Sequence, residues 1–128
     1  IKNNKLPISA PDSEISAIID YLIQRKFLND IEYIDLFLEG SANRKLMGKN
    51  KVILSLNQKG LDQNQIKQRL NEKEYPEKEL AIKFLSRQKP VDLSDQKSRA
   101  KLYRKFLSKG FTTSTISQAL KNQLINSQ

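Results

Sequence analysis

Two stretches of the chain, fifty residues apart, share one pattern of apolar and polar positions. Counted from Gly60 and from Gly110, apolar residues occur eight, seven and four positions before the glycine and one, six and ten positions after it. A lysine stands directly before each glycine. The apolar residues are Val52, Ile53, Leu56, Leu61, Ile66 and Leu70 in the first copy, and Leu102, Tyr103, Phe106, Phe111, Ile116 and Leu120 in the second. The chain therefore contains an internal repeat.

Each copy predicts two helices joined by a very short turn. Glycine enters the left-handed conformation that ends a helix without steric cost, and the apolar residue after it packs back on the last turn. Asp62 and Thr112 stand where the next helix needs a side-chain oxygen for its free amides. The lysine before each glycine suits the negative end of the preceding helix. We predict positive φ angles at both Gly60 and Gly110.

A third, less regular copy lies upstream, with Phe27 in place of the glycine and Asp20 at a normally apolar position. The other positions are filled by Ile19, Ile23, Lys26, Leu28, Asn29, Tyr33 and Phe37. This copy predicts a helix from about Pro11 to Lys26 and a second helix, capped by Asn29 or Asp30, that ends before Gly40.

The rest of the chain also predicts helices, separated by turn residues. We expect a loop or short turn around Gly40 to Asn43 and a helix start delayed by Gly48. Pro76 suits the first position of a further helix that Pro90 ends. Ser94 or Asp95 then caps a helix that runs to Lys109, and the last helix covers about Thr112 to Leu124.

No segment alternates as a half-buried strand does. The sequence therefore predicts about seven helices and an all-α fold, in which tandem three-helix, helix-turn-helix-like repeats form an elongated, curved array. The predicted divisions are an extended entry segment at 1–10, a first unit at 11–45, a second at 46–90, and a third with the C-terminal tail at 91–128.

Composition agrees with such an array and excludes several classes of protein. Hydrophobic residues make up 38% of the 128 residues, which is lean for a compact globule but tolerable in stacked repeats. No run approaches the roughly 20 apolar residues of a membrane span, and no basic-plus-apolar leader opens the chain. We expect a soluble, cytoplasmic monomer without a membrane partner. Cysteine is absent, so disulfides and thiolate metal sites are excluded.

Groups suited to catalysis are few. Histidine is absent, as is cysteine, which removes the commonest general base and one class of nucleophile. The chain has no glycine-rich nucleotide-binding motif. The densest carboxylates, Glu72, Glu74, Glu77 and Glu79, alternate with lysines, which favours a solvated surface over a cation site. We therefore predict a non-enzyme with no cofactor and no metal.

The positive charge is concentrated in two blocks. Residues 40–61 contain five bases and no acid, and residues 96–128 contain seven bases and no acid, whereas the chain as a whole carries a net charge of +9. In the helix before Gly110, a spacing of 100° per residue predicts one apolar side and one basic side. The apolar side holds Ala100, Tyr103, Phe106 and Leu107, and the basic side holds Lys97, Lys101, Arg104 and Lys105. Tyr103, Phe106 and Phe111 could stack on bases, but their aliphatic counterparts in the first copy favour a place in the core.

The two basic blocks supply the candidate partner-binding or DNA-binding residues. An ordinary solvated helix face is one interpretation, and contact with nucleic-acid phosphates or with an acidic protein groove is the other. The candidates are Arg44, Lys45, Lys49, Lys51, Lys97, Lys101, Arg104, Lys105 and Lys109, beside the structural repeat motif Lys59, Gly60, Leu61, Lys109, Gly110 and Phe111.

At these residues the chain resembles the RecX family, which regulates the recombinase RecA. The family's helix-turn-helix with a glycine and a large apolar residue is matched at Lys59-Gly60-Leu61 and at Lys109-Gly110-Phe111. Further matches are the acidic turn from Asn29 to Tyr33, Arg44, Gly48-Lys49 and Ala81. Departures are Asn29 for a customary Asp, Ile34 for a customary Ala and Phe27 for a common Gly. Family members usually carry one more N-terminal helix, so truncation of the first unit is an open alternative.

The resemblance implies tandem three-helix units that bind along the groove of the RecA filament on DNA and restrain its ATP hydrolysis and strand exchange. It also implies weak, electrostatic binding of single- or double-stranded DNA and a setting in recombination, repair and the SOS response. No contact residue is transferred from the family, because the candidates above rest on charge and helical geometry. Two other functions stay open: a helix-turn-helix regulator that reads DNA sequence, and a structural helical-repeat adaptor.

Overall fold

The computed structural model describes residues 12–126, with the backbone alone for 124–126. Within this range the chain forms six α-helices and one π-helical turn, and it has no strand. The predicted all-α fold is therefore confirmed. In chain order the elements are α1 (Asp12–Gly40), the π turn (Ser41–Lys45), α2 (Lys49–Gln58), α3 (Gln63–Glu72), α4 (Glu77–Ser86), α5 (Gln96–Ser108) and α6 (Thr113–Asn126). The predicted entry segment at 1–10 lies outside the described residues.

Helix α1 is a single helix of 29 residues, so the turn predicted after Lys26 is wrong. Phe27 has a side chain that disfavours the left-handed conformation a helix end would need there. The ammonium group of Lys26 pairs with Asp30 at 2.9 Å, one helical turn away. This pair spans the predicted break and stabilises helix instead, as pairs four residues apart do.

The helix end predicted before Gly40 is also wrong. Gly40 has helical angles (φ −64°, ψ −41°), and the chain winds on through the wider π turn. That turn ends at Leu46, which adopts the left-handed conformation with φ of 50°. The conformation is costly for a branched residue, by about 1–2 kcal/mol. Burial of the Leu46 side chain, which is only 5% exposed, offsets this cost.

The described chain divides into two compact units, one up to Tyr33 and the other from Ile34 onward. In the first unit no described residue is buried, and Ile19, Leu22 and Ile23 expose about half or more of their surface. No helix within 12–126 is long and apolar enough to cross a membrane.

The second unit contains the hydrophobic core, to which every element from the end of α1 to α6 contributes. Its largest fully buried side chains include Phe106 and Phe111, so their predicted place in the core is confirmed. The Phe84 ring packs edge-on against Phe106, with centroids 5.1 Å apart, and lies 5.8 Å from Phe111. Such aromatic clusters add to stability beyond the area they bury.

Both repeat copies have the predicted turn. Gly60 and Gly110 each have φ of 89°, and the amide of the residue after each glycine donates to a carbonyl five residues back. Asp62 caps α3 by accepting from the amide of Gln65 at 3.0 Å. Thr112 caps α6 in the same way, at 3.4 Å from the amide of Thr115.

The predicted buried side of α5 is partly wrong. Ala100 is exposed and Leu107 is 43% exposed, whereas Leu102 is buried at 2%. The buried side of the helix is therefore centred between Leu102 and Phe106. Lys101, Arg104 and Lys105 are all exposed and lie next to one another along one flank of the helix.

Candidate nucleic-acid interface

The start of α2 is joined to the α5–α6 turn by backbone hydrogen bonds. The amides of Gly48 and Asn50 donate to the carbonyl oxygens of Lys109 and Gly110, both at 2.9 Å. A Cβ atom on Gly48 would overlap the backbone of Gly110, and a Cβ on Gly110 would overlap Lys51. The two segments approach this closely because both contact positions are glycine.

The carboxylate of Glu77 holds the same junction from the start of α4. It accepts hydrogen bonds from the amide of Lys49 at 2.7 Å and from the amide of Thr112 at 3.3 Å. It also accepts from the hydroxyls of Thr112 and Thr115, at 2.8 and 2.6 Å. A carboxylate at two helix starts is favourable because each start presents free amides and a positive dipole end.

Glu77 therefore corrects the sequence interpretation of the four clustered glutamates. They were predicted to form a solvated surface, but Glu77 is only 4% exposed. From the sequence, the place of Glu77 in the first turn of α4 indicates only a favourable interaction with the helix dipole. Its hydrogen-bond partners could not be identified, because they lie 28 to 38 residues away in the sequence.

The junction brings the two basic blocks of the sequence together. A cleft of about 490 Å³, here called the α2 cleft, opens beside it. Arg44, Lys45 and Lys51 of the first block line this cleft, as does Lys109 of the second. Arg87, at the end of α4, adds a fifth cation. Bases far apart in the sequence thus face one space.

A second cleft, the α5 cleft, has a volume of about 590 Å³. Its lining includes three basic residues of α5, Lys101, Arg104 and Lys105, together with Ser108. Both clefts share Phe84, Gln88 and Lys109. We call the cations of the two clefts the basic face: Arg44, Lys45, Lys51, Arg87, Lys101, Arg104, Lys105 and Lys109.

Lys109 occupies the centre of the basic face. Its ammonium group donates to the carbonyl oxygen of Lys45 at 2.8 Å and lies 6.0 Å from the centre of the Phe84 ring. Burial lowers the pKa of Lys109, and the nearby charges of Lys51, Arg87 and Lys45 lower it further. The positive charge is therefore under-compensated, and a bound anion would relieve the repulsion.

Two of the predicted contact residues lie elsewhere. Lys97 and Lys49 line neither cleft, and the backbone amide of Lys49 is used in the junction. Sequence reasoning missed Arg87, Phe84 and Gln88. The available signal was the basic end of α4, but such residues also suit the negative end of any helix.

None of the residues that line the two clefts, all within the described chain, carries a carboxylate. Eight cations on one face, without interleaved acids, form the electrostatic footprint expected for phosphates. The face offers hydrogen-bond donors and positive charge, which are suited to binding anions.

Comparison with known proteins shows similarity to one family. Residues 78–120, from α4 into α6, match the family profile described as RecX, third three-helix domain. A protein named Regulatory protein RecX from Clostridium botulinum (strain Alaska E43 / Type E3) is 34% identical over 94% of this chain and 59% of its own length. The protein of the same name from Clostridium tetani is 29% identical, over 88% of this chain and 53% of its own length.

A third relative of that name, from Clostridium beijerinckii, is 30% identical over 86% of this chain and 53% of its own length. The chain thus spans little more than half of the relatives it matches. No solved structure matches the chain. The predicted resemblance to the RecX family is therefore confirmed: residues 78–120 match the profile of its third three-helix domain, and most of the chain is similar to RecX regulatory proteins.

Proposed function

We propose that this chain is a non-enzymatic regulator of DNA recombination and repair that binds the RecA nucleoprotein filament and restrains ATP hydrolysis and strand exchange. The family resemblance supports a regulatory role, and the relatives are named regulatory proteins. The observation that carries the proposal is the convergence of the two basic blocks on one face. A positively charged face is suited to the phosphates or acidic side chains of a nucleoprotein filament.

The direct test is the ATPase activity of RecA on single-stranded DNA. Titration of this chain into RecA, single-stranded DNA and ATP should lower phosphate release at less than one chain per RecA. Unchanged phosphate release at saturating chain, with filaments shown to be present, would contradict the proposal.

A double charge reversal tests the part played by the basic face. Lys101→Glu with Arg104→Glu should weaken filament or DNA binding by about tenfold or more, because two contacts are lost and replaced by repulsion. The matched control is Lys67→Glu with Arg99→Glu, which reverses two exposed charges that line neither cleft. Wild-type binding by the first variant would return Lys101 and Arg104 to an ordinary solvated helix side.

A sequence-reading helix-turn-helix is less well supported. In that mode, the first turn of the second helix presents side chains to base edges in the major groove. At the start of α6 the hydroxyls of Thr112 and Thr115 instead donate to the carboxylate of Glu77. The division into units at 11–45, 46–90 and 91–128, the monomeric state and the cytoplasmic location stay predictions.

A further inference from the structure

Phe84 connects the two clefts of the basic face. Its ring packs on Phe106 and Phe111 with centroids 5.1 and 5.8 Å away, and its remaining surface lines both clefts. The side chain is only partly buried, although it touches the core. The ring is thus held in a fixed orientation by the core while it contributes apolar surface to an otherwise cationic site.

This combination differs from what a face for phosphates alone requires. Phosphates on the outside of a duplex are contacted by cations and N–H donors, and an aromatic ring adds nothing to these contacts. Unpaired bases, by contrast, stack on aromatic side chains while a basic groove follows the backbone. Charged Lys101, Arg104 and Lys105 beside the partly exposed Phe84 provide both components within one cleft.

Gln88 lies one helical turn after Phe84 and also lines both clefts. Its side-chain nitrogen donates to the backbone carbonyl oxygen of Phe84 at 3.3 Å. A side-chain amide carries one acceptor oxygen and two N–H donors, so a second N–H and the oxygen are suited to the edge of a base.

We propose that Phe84 and Gln88 receive an unpaired nucleobase, so that the basic face binds single-stranded nucleic acid in preference to duplex. The inference rests on the proposed function, in that the cations of the basic face hold the phosphates on either side. Phe84 supplies the stacking surface, Gln88 contacts the edge of the base, and Lys109 lies between the two clefts.

The test uses three fluorescent oligonucleotides of equal length at one salt concentration: a thymidine single strand, a single strand of abasic sites, and a duplex. Fluorescence anisotropy with the full chain should give about tenfold tighter binding of the thymidine strand than of the abasic strand, since one stacked base contributes on that order. The two strands carry the same phosphates, so the difference reports the base alone. Equal affinities for them in the wild-type chain would overturn the proposal without any variant.

Phe84→Leu should remove the preference for the thymidine strand and leave the affinity for the abasic strand unchanged. Gln88→Ala, which alters no core contact of the ring, should reduce the preference in part if Phe84→Leu is too unstable to measure. Ile82→Ala, at an exposed position of the same helix, is the control and should keep the preference.

A Phe84→Leu or Gln88→Ala variant that weakens both strands equally would overturn the stacking role. Absence of binding to all three oligonucleotides would instead contradict the phosphate-binding role of the basic face in the proposed function, and the stacking role with it.

Discussion

The α2–α3 turn and the α5–α6 turn have the same local structure and different surroundings. Gly60 and Gly110 share a φ of 89°, and each ends its helix in the same way. Around Gly60, a Cβ atom would meet nothing within 4 Å. Around Gly110, it would overlap Lys51, because the start of α2 is bonded to this turn.

The difference shows what a repeated sequence pattern specifies and what it leaves to packing. The pattern of apolar residues, lysine, glycine and cap determines backbone conformation within about twenty residues. The start of α2 packs against the second copy and not the first, and this choice depends on residues outside the pattern, here Gly48 and Glu77. The occupied copy is also the one whose lysine, Lys109, belongs to the basic face.

The largest expected effect comes from alanine at the two glycines. Gly60→Ala should lower the free energy of unfolding by about 1–2 kcal/mol, the cost of the left-handed conformation for a residue with a Cβ. Gly110→Ala should lower it by roughly 3 kcal/mol or more, because overlap with the α2 backbone is added to that cost. Urea denaturation followed by circular dichroism measures both.

Equal losses for the two variants would contradict the comparison, since both share the conformational cost and only Gly110 has the contact. Thermal melts of both variants should also keep a helical signal below the transition. A Gly110→Ala variant with wild-type stability would show that α2 does not dock on this turn.

The next effect concerns the carboxylate that only the second copy uses. Glu77→Gln should lower the free energy of unfolding by about 1–3 kcal/mol, because charge-assisted hydrogen bonds to two amides and two hydroxyls are weakened. The matched control is Glu79→Gln, which removes an exposed charge from the same first turn of α4. Similar small losses in both variants would reduce Glu77 to a contribution to the helix dipole.

The fold was predictable from sequence where local chemistry determines it. Glycine turns, caps and helical spacing are local signals, and Gly60, Gly110 and Asp62 have the predicted roles. The prediction failed at α1, because Phe27 and Gly40 were interpreted as breaks in the helix. A glycine in a pattern permits a helix end without requiring one.

The candidate site was less predictable for a related reason. Charge blocks in the sequence located most of the basic face, since seven of its cations were among the predicted residues. Arg87 was not among the predicted contact residues, because α4 contains acids as well as bases and the segment therefore shows no excess of positive charge. Phe84 was not among the predicted contact residues, and its place in both clefts depends on how it packs against Phe106 of α5.

The last comparison concerns the lysines before the two glycines, where substitution is expected to change stability least. The expected effect is on binding by the basic face. Lys109→Met should weaken binding to a single-stranded oligonucleotide by about three- to tenfold, because a cation shared by both clefts is lost. Lys59→Met removes the corresponding lysine of the first copy, which lies 5.2 Å from the Phe37 ring and lines neither cleft. It should leave binding within about twofold of wild type.

The pH dependence of binding sharpens this contrast between the copies. Burial and the neighbouring cations hold the pKa of Lys109 below its usual value, so Lys109 loses its proton before an ordinary lysine does as the pH rises. Only the charged form attracts phosphate, so affinity should be complete below the folded pKa of Lys109 and decline as the pH rises through it, towards the ordinary lysine value of about 10.4. Arginine stays protonated throughout this range, so Lys109→Arg should flatten the decline in anisotropy titrations between neutral and alkaline pH. A wild-type decline that persists unchanged in Lys109→Arg would assign the titrating group to another residue.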